Sequence, residues 1–225
     1  MEVATLGRVL AVSPHMDDAA LSAGNFLAAC HRPVLLTAFG GTPERYGPLT
    51  EWDALCGFAD GDDVVAERRE EDRKAAAALG ATARWLEFVD SQYRSEPPVV
   101  GAIALEIAAV AREISADTIT FPLGVLHEDH CLTHDACATL LCEQHELVAN
   151  WVAWADVPYR SRSPQHVSER LESLRQQGFQ LSPEFSMTEE KRSALDAYAS
   201  QAIGLGESAM CDAERPEQLF VISRQ

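Results

Sequence analysis

The sequence predicts an α/β fold, a Rossmann-like, doubly wound and mainly parallel sheet in a single domain over residues 1–225. Two observations predict it. Short apolar runs of strand-like composition alternate with longer Ala-rich segments of helical composition, and parallel strands need such helices between them to return the chain. The length of 225 residues also suits one α/β domain with a full core better than two small domains.

The first half of the chain shows this alternation clearly. Residues 8–13 form a β-prone run that a proline ends, and the Ala-rich residues 17–30 are predicted as a helix with acids in its first turn. Residues 33–39 are a second apolar strand, after which two glycines and a proline mark a loop. We expect the irregular loop 42–63 to be a lid or a substrate-binding loop, because long loops in compact domains are usually functional.

The later segments continue the same pattern. Residues 64–79, rich in Ala, Glu and Arg, are predicted as a helix that stops at a glycine, and residues 99–114 have helical periodicity. Residues 118–122 are a fourth strand that ends at a proline. The remaining predicted elements are strands at 84–89, 151–155 and 218–223 and helices at 129–142 and 188–203.

Charge and cysteine content argue against several classes of function. The formal charge of −17, with no basic cluster that reverses it locally, argues against nucleic acid and membrane surfaces as partners. No run approaches the roughly 18 apolar residues that a membrane-spanning helix needs. Six cysteines without a Cys-x-x-Cys pair, and an N-terminus without a signal-peptide pattern, predict reduced thiols and a cytoplasmic protein.

Two clusters of ligand-type residues follow predicted strands. His15, Asp17 and Asp18 come directly after the first strand, and residues 127–130, His-Glu-Asp-His, come after the fourth. Ligands of an open parallel sheet bind outside the carboxyl ends of its strands, so the two clusters are expected to meet there. Helix capping explains one aspartate of the first cluster, but it explains neither His15 nor the second cluster.

The residue types in the clusters predict a divalent metal. His15 and Asp18 are three residues apart, a spacing that turns both side chains toward one point, and a histidine of the second cluster would complete two nitrogens and one oxygen. Three protein ligands with an open position are typical of catalytic zinc, which lowers the pKa of water from 15.7 to about 7. Fe²⁺ is the alternative ion. Asp17, beside Asp18 but directed differently, is expected to be the general base.

The motifs resemble a known family at this point. Residues 13–18, Ser-Pro-His-Met-Asp-Asp, and residues 127–130 are similar to the His-Pro-Asp-Asp-Glu and His-Pro-Asp-His patterns of the PIG-L/LmbE-like family of zinc-dependent N-deacetylases and amidases. Further segments resemble the family in the expected order. They are residues 68–72, 90–93, 156–159 and 198–201.

The resemblance implies a role for each residue of the site. It implies that His15, Asp18 and His130 hold zinc and that Asp17 is the general base. His127 would steady the oxyanion or act as an acid, with Asp129 as its charged hydrogen-bond partner. Two further residues, Arg68 and Asp90, match positions that hold polar groups of the substrate. For residues 68–72, alternating charge on a solvated helix face is an equally good interpretation.

The resemblance implies a hydrolase of linear amides. The expected reaction is N-deacetylation of an N-acetylated amino sugar or its glycoside, so the expected partner is a small-molecule N-acyl substrate. Alternatives are an amidase that acts on a thiol conjugate or a natural-product intermediate, and a non-catalytic metal-binding accessory protein; a homo-oligomer also stays open. Met16 and Glu128 stand where the family has prolines. Ala19 replaces the family glutamate, which leaves the substrate class more open than the metal.

Overall fold

A six-stranded sheet forms the centre of the protein. The structure is a computed structural model that describes residues 6–176 and 189–223. The spatial order of the strands is β3-β2-β1-β4-β5-β6; five of them are parallel and β6 is antiparallel to β5. In chain order they are β1 (Val9–Ser13), β2 (Val34–Thr37), β3 (Thr82–Trp85), β4 (Thr118–Pro122), β5 (Asn150–Trp154) and β6 (Leu219–Ile222). The expected α/β fold with a doubly wound, mainly parallel sheet is confirmed, whereas its span over 1–225 stays a prediction.

Helices cover both faces of this sheet. Alternate residues of β1 point to opposite faces, as the pleat of a strand requires: Leu10 and Val12 belong to one apolar cluster, and Val9 and Ala11 belong to the other. The helices are α1 (Asp18–Ala29), α2 (Glu51–Leu55), α3 (Val64–Ala78), α4 (Val100–Glu113), α5 (Glu128–Glu143), α6 (Tyr159–Arg162), α7 (Pro164–Gln176), α8 (Glu189–Ala197) and α9 (Ala199–Ala213). Of the described helices, none is both long and apolar enough to cross a membrane.

The third strand lies earlier in the chain than the predicted range 84–89. Its apolar, strand-like composition continues past Trp85, but its hydrogen-bonded partner β2 ends at Thr37. Beyond that point the two segments meet only through isolated bridges, such as the one between Phe39 and Glu87. The strand is at the edge of the sheet and has one neighbour, so the end of that neighbour ends it as well.

Two other regions differ from expectation. The loop 42–63 is not irregular throughout, because it contains α2, whose first turn is capped by Thr50 Oγ1 accepting from the N–H of Asp53 at 3.0 Å. The predicted helix 188–203 is two helices, α8 and α9, that meet at Tyr198; its first residue, Thr188, lies outside the described residues. The hydroxyl of Tyr198 donates to Asp72 Oδ1 at 2.6 Å, which ties this junction to α3.

A fully buried ion pair holds α1, the helix that begins at the first cluster. The backbone of α1 is non-helical at Ala23, and beyond it the N–H groups of Asn25 and Phe26 donate to the two carboxylate oxygens of Glu217 at 2.7 and 3.0 Å. Lys191 Nζ lies 2.7 Å from Glu217 Oε1, and neither charged residue is exposed. This arrangement fixes α1 against α8 and the start of β6.

Candidate active site

The two predicted clusters meet at the carboxyl ends of β1 and β4. The ring centroids of His15 and His127 are 4.9 Å apart, and those of His15 and His130 are 5.4 Å apart. The two strands are hydrogen-bonded neighbours at the centre of the sheet, so residues that follow them share one edge. The structure therefore brings together residues more than a hundred positions apart.

Asp18 lies between two imidazole nitrogens. Its Oδ2 is 3.2 Å from His15 Nδ1 and 3.2 Å from His130 Nε2. Ligands of a tetrahedral zinc ion, with bonds of about 2.0–2.1 Å, are separated by about 3.3 Å, so these residues fit such an ion. Burial by itself raises the pKa of the Asp18 carboxyl, but the charges and hydrogen bonds of His130 and His15 hold it well below its usual range.

A second carboxylate fixes each of these two histidines. His130 Nδ1 donates to Asp156 Oδ1 at 2.6 Å, and His15 Nε2 donates to Asp129 Oδ2 at 3.0 Å. In each ring the bonded nitrogen is the one that does not face Asp18. His15 Nδ1 and His130 Nε2 are therefore the nitrogens that face Asp18, and an ion bound there would displace the protons that they share with it.

A set of three histidines is an alternative group of ligands. Ring nitrogens of His15, His127 and His130 lie within 4.8 Å of one another, as do ligand atoms of His15, Asp90 and Asp129. Neither set includes Asp18, which would leave a buried carboxylate beside the ion without a bond to it. The set of His15, Asp18 and His130 supplies the negative charge as well as the spacing, and we favour it for this reason.

The carboxylate of Asp129 does not contact His127 in the expected way. It is fully buried, and it accepts from His15, from the N–H of Ser91 at 3.0 Å and from Arg94 Nη2. The contact between Asp129 and His127 is instead a backbone N–H that donates to His127 Nδ1 at 3.2 Å. His127 caps α5, so its Nδ1 faces the amides of the first turn while the Asp129 side chain reaches across to His15.

His127 is a hydrogen-bond donor at the cavity. Burial, and then the charges of His15 and His130, lower its pKa to about 4. Because Nδ1 of this ring accepts a hydrogen bond, the proton of the neutral form is on Nε2.

Asp17 is buried beside Asp18 and lines the cavity. Burial raises its pKa to about 6, the charge of Asp18 adds to this rise, and the charge of Arg68 opposes it. Asp17 occupies the cap position of α1, but its side chain makes no capping hydrogen bond. Helix capping therefore does not account for Asp17.

Arg68 and Asp90 also lie at the site and face each other. Arg68 Nη1 is 3.5 Å from Asp90 Oδ2, and both residues line the cavity. Arg68 is only 6% exposed, so it is not on a solvated helix face, although the neighbouring Glu70 is. Within residues 6–176 and 189–223, Arg68 Nε is enclosed and has no hydrogen-bond partner.

These residues surround a cavity of about 200 Å³. This volume is below the roughly 300–1,000 Å³ of sites that enclose drug-sized ligands, so the cavity encloses only part of a larger molecule. Trp52 and Tyr159, which from the sequence could be pocket aromatics or packing anchors, both line it. No role was predicted from the sequence for the remaining lining residues, which are Ser91, Gln92, Pro158, Gln201 and Leu205.

Comparison with known proteins identifies the family. The family model PIG-L, described as GlcNAc-PI de-N-acetylase, matches residues 10–141, which include both clusters. The chain belongs to the PIG-L family. Among curated relatives, 2'-N-acetylparomamine deacetylase of Streptomyces fradiae is 36% identical over 152 residues, 58% of this chain and 50% of that protein. The match thus spans about half the length of that relative.

Solved structures show the same fold. The zinc-inhibited form of teicoplanin deacetylase Orf2 is 24% identical with a TM-score of 0.78, and the match covers 97% of this chain and 98% of that one. A40926 pseudoaglycone deacetylase Dbv21 is 26% identical with a TM-score of 0.72, over 98% and 100% of the two chains. In both comparisons the match covers almost the whole length of this chain.

The departures from the PIG-L motifs lie outside the cavity wall. Met16 and Ala19 are buried in the apolar cluster that α1 forms on one face of the sheet. Glu128 is exposed and accepts from Arg94 Nη2 at 2.8 Å. Of the residues that the sequence left without a role, Gln201 had a signal, because segment 198–201 resembles the family, whereas Leu205 had none.

Proposed function

We propose that this chain is a metal-dependent N-deacetylase that removes the acetyl group from an N-acetylated amino sugar or its glycoside. One observation carries the proposal: Asp18 Oδ2 lies 3.2 Å from a nitrogen of each of two histidines, beside the buried carboxylate of Asp17. Membership of the PIG-L family supports it. So do the relatives, which are deacetylases named for 2'-N-acetylparomamine, teicoplanin and A40926 pseudoaglycone.

In this proposal His15, Asp18 and His130 would hold the ion. Zinc is the ion we propose, with Fe²⁺ as the alternative, since two imidazoles and one carboxylate suit both. A divalent ion bound there supplies Lewis acidity, which polarises an amide carbonyl and makes water more acidic. Asp156 and Asp129 orient the two imidazoles. We therefore assign Asp129 a positioning role on His15, in place of the role on His127 that the resemblance implied.

The remaining groups move protons and hold the substrate. Asp17 takes the proton of the attacking water as the C–O bond forms, and that proton passes to the departing amine as the C–N bond breaks, which gives acetate and a free amine. His127 Nε2–H donates to the acyl oxygen as negative charge develops on it. Arg68 and Asp90 bind polar groups of the sugar, since both line the cavity.

Further parts of the proposal concern the setting of the reaction. The substrate is a small N-acyl molecule, of which the cavity encloses only a part. A cytoplasmic location is supported by the cysteine content, with six cysteines and no Cys-x-x-Cys pair. The buried Asp17, which helix capping does not explain, argues against a non-catalytic accessory role.

Metal analysis combined with acetate release tests the proposal. The purified protein is expected to hold about one equivalent of zinc or iron and to release acetate from at least one member of a panel: N-acetylglucosamine, its glycosides and N-acetylparomamine. A chelator should abolish release, and added metal should restore it. His15→Ala should lose both metal and activity, whereas the control His166→Ala, a change at an exposed histidine, should lose neither. A metal-loaded protein that releases no acetate from the whole panel would refute the proposed function.

A further inference from the structure

Gln201, near the start of α9, has a side-chain amide of which only the NH₂ group is hydrogen-bonded within the described residues. The residue is 2% exposed and lines the cavity. Its Nε2 donates to Ser200 Oγ at 2.9 Å and lies 3.9 Å from Cys56 Sγ. In the described part of the chain no group donates to its Oε1, and that oxygen is not fully enclosed. Because Gln201 lines the cavity, the cavity is the side from which a ligand would reach this oxygen.

A short chain of hydrogen bonds fixes which way this amide points. Glu71 accepts from the N–H of Ser200 at 2.9 Å and from its hydroxyl at 2.6 Å. A carboxylate can only accept, and a serine hydroxyl has one proton, so Ser200 Oγ gives that proton to Glu71 and accepts from Gln201. The group of Gln201 that faces Ser200 must therefore be the NH₂ group. The carbonyl oxygen of Gln201 therefore faces away from Ser200.

The backbone around Gln201 is held equally firmly. Glu71 lies on α3 and places its negative charge at the N-terminus of α9, where the helix dipole favours it. One turn further along, α9 packs against α2 at Gly204. A Cβ at that glycine would lie 2.6 Å from Cys56 Sγ and 3.1 Å from the ring of Trp52, so only glycine allows this approach. The acceptor is thus positioned before any ligand arrives.

We propose that Gln201 is a specificity-determining residue, whose side-chain oxygen accepts a hydrogen bond from one hydroxyl group of the amino sugar. The inference rests on the proposed function. It adds the residue that contacts the sugar, the atom that makes the contact and the role of that atom as a hydrogen-bond acceptor. The carboxylates of the cavity, such as those of Asp17 and Asp90, accept protons or bind cations. A neutral acceptor in a fixed position suits a neutral hydroxyl. A substrate that lacks this hydroxyl leaves the oxygen without a partner, which disfavours that substrate.

The test compares substrates that lack one hydroxyl at a time. The parent is the sugar of the panel above that the unchanged protein deacetylates fastest, and the analogues are its mono-deoxy forms. We expect kcat/KM to fall about tenfold for one analogue in the unchanged protein. In Gln201→Leu, which is similar in size and cannot accept, this discrimination should disappear. Each ratio is taken within one protein, so the fraction of folded enzyme cancels.

Variants of the neighbouring serine test the orientation. Ser200→Ala frees the amide of Gln201 to turn, and it should lose most of the same discrimination, whereas Ser200→Thr keeps the hydroxyl and should restore it. Matched controls at exposed positions of α7, Gln165→Leu and Ser168→Ala, should discriminate like the unchanged protein.

The outcomes separate this inference from the proposed function. A Gln201→Leu penalty that is equal for the parent and all analogues, or full discrimination in Ser200→Ala, would overturn the role of Gln201 while deacetylation stands. Absence of acetate release from every panel sugar by the unchanged, metal-loaded protein would refute the proposed function, and this inference with it.

Discussion

Replacement of Asp156 by asparagine tests whether this carboxylate orients His130, a proposed metal ligand, and fixes its tautomer. Asp156 is fully buried and accepts from two donors: His130 Nδ1 at 2.6 Å and the N–H of Gly124 at 3.2 Å. Asparagine keeps the shape but offers one acceptor oxygen and an NH₂ group. It therefore cannot accept from both donors at once.

Both orientations of the new amide weaken the site. If its oxygen stays on His130, the NH₂ group meets the N–H of Gly124, and a buried donor without a partner costs about 1–3 kcal/mol. If the oxygen turns to Gly124, His130 must carry its proton on Nε2 and loses the lone pair that faces Asp18. Loss of such an outer carboxylate lowers metal affinity about 10–100-fold, which is about 1.4–2.7 kcal/mol.

The assay is zinc affinity by competition with a chromogenic chelator at neutral pH. Asp156→Asn should bind zinc at least about tenfold more weakly than the unchanged protein. Asp135→Asn is the matched control, since Asp135 is exposed on α5 and lies 3.9 Å from Arg170. If Asp156→Asn binds zinc as tightly as this control, His130 does not depend on Asp156 and the assigned tautomer is wrong.

Three further changes have calculable outcomes. Asp17→Asn should lower kcat about 10²–10⁴-fold while metal content is retained, because it removes the base and no ligand; acetate release and metal analysis measure the two. Burial raises the pKa of Asp72 to about 7. Its contribution to stability is therefore complete below about pH 4 and is lost as the pH rises through 7, so the Tm advantage of the unchanged protein over Asp72→Asn should shrink from pH 4 to 8. Lys191→Met leaves the buried carboxylate of Glu217 without its cation and should lower the free energy of unfolding by about 3–5 kcal/mol in urea titrations.

Each of these three predictions has an outcome that would contradict it. Turnover that is unchanged in Asp17→Asn would remove the assigned base, even if the reaction class stands. A Tm difference for Asp72→Asn that stays constant with pH would mean that Asp72 titrates near its ordinary pKa. For Lys191→Met the control is Lys74→Met, a change at an exposed lysine 3.7 Å from Glu70; equal losses in the two variants would show that burial of the pair has no effect.

The sheet could be predicted from the sequence wherever both faces of a strand are covered. In β4 every residue is buried and a proline ends the run, so the predicted range 118–122 matches the structure. At the edge strand β3 no residue is buried, and its end depends on where β2 stops. The sequence pattern of a strand does not depend on the length of the strand beside it. For this reason the predicted range 84–89 was wrong.

The site could be predicted down to its clusters but not to its contacts. Residues that follow neighbouring parallel strands must meet, which places His15 near His130. The partner of Asp129 depends on the direction of the first turn of α5 and on Arg94, which belongs to another segment. The place of Gln201 depends on where α8 ends and on the close approach at Gly204. These are tertiary facts that spacing does not encode.

At position 19 the departure from the family motif lies in the apolar core and not in the cavity wall. In the sequence, the absence of the family glutamate at this position left the substrate class more open than the metal. Ala19 is 1% exposed, lies in the apolar cluster of α1 and donates its N–H to Ser13 Oγ at 3.0 Å; it is not part of the cavity wall. Its replacement therefore removes no group from the cavity, while Asp17 and His127 remain there. The choice of substrate is then expected to depend on wall residues such as Trp52 and Gln201.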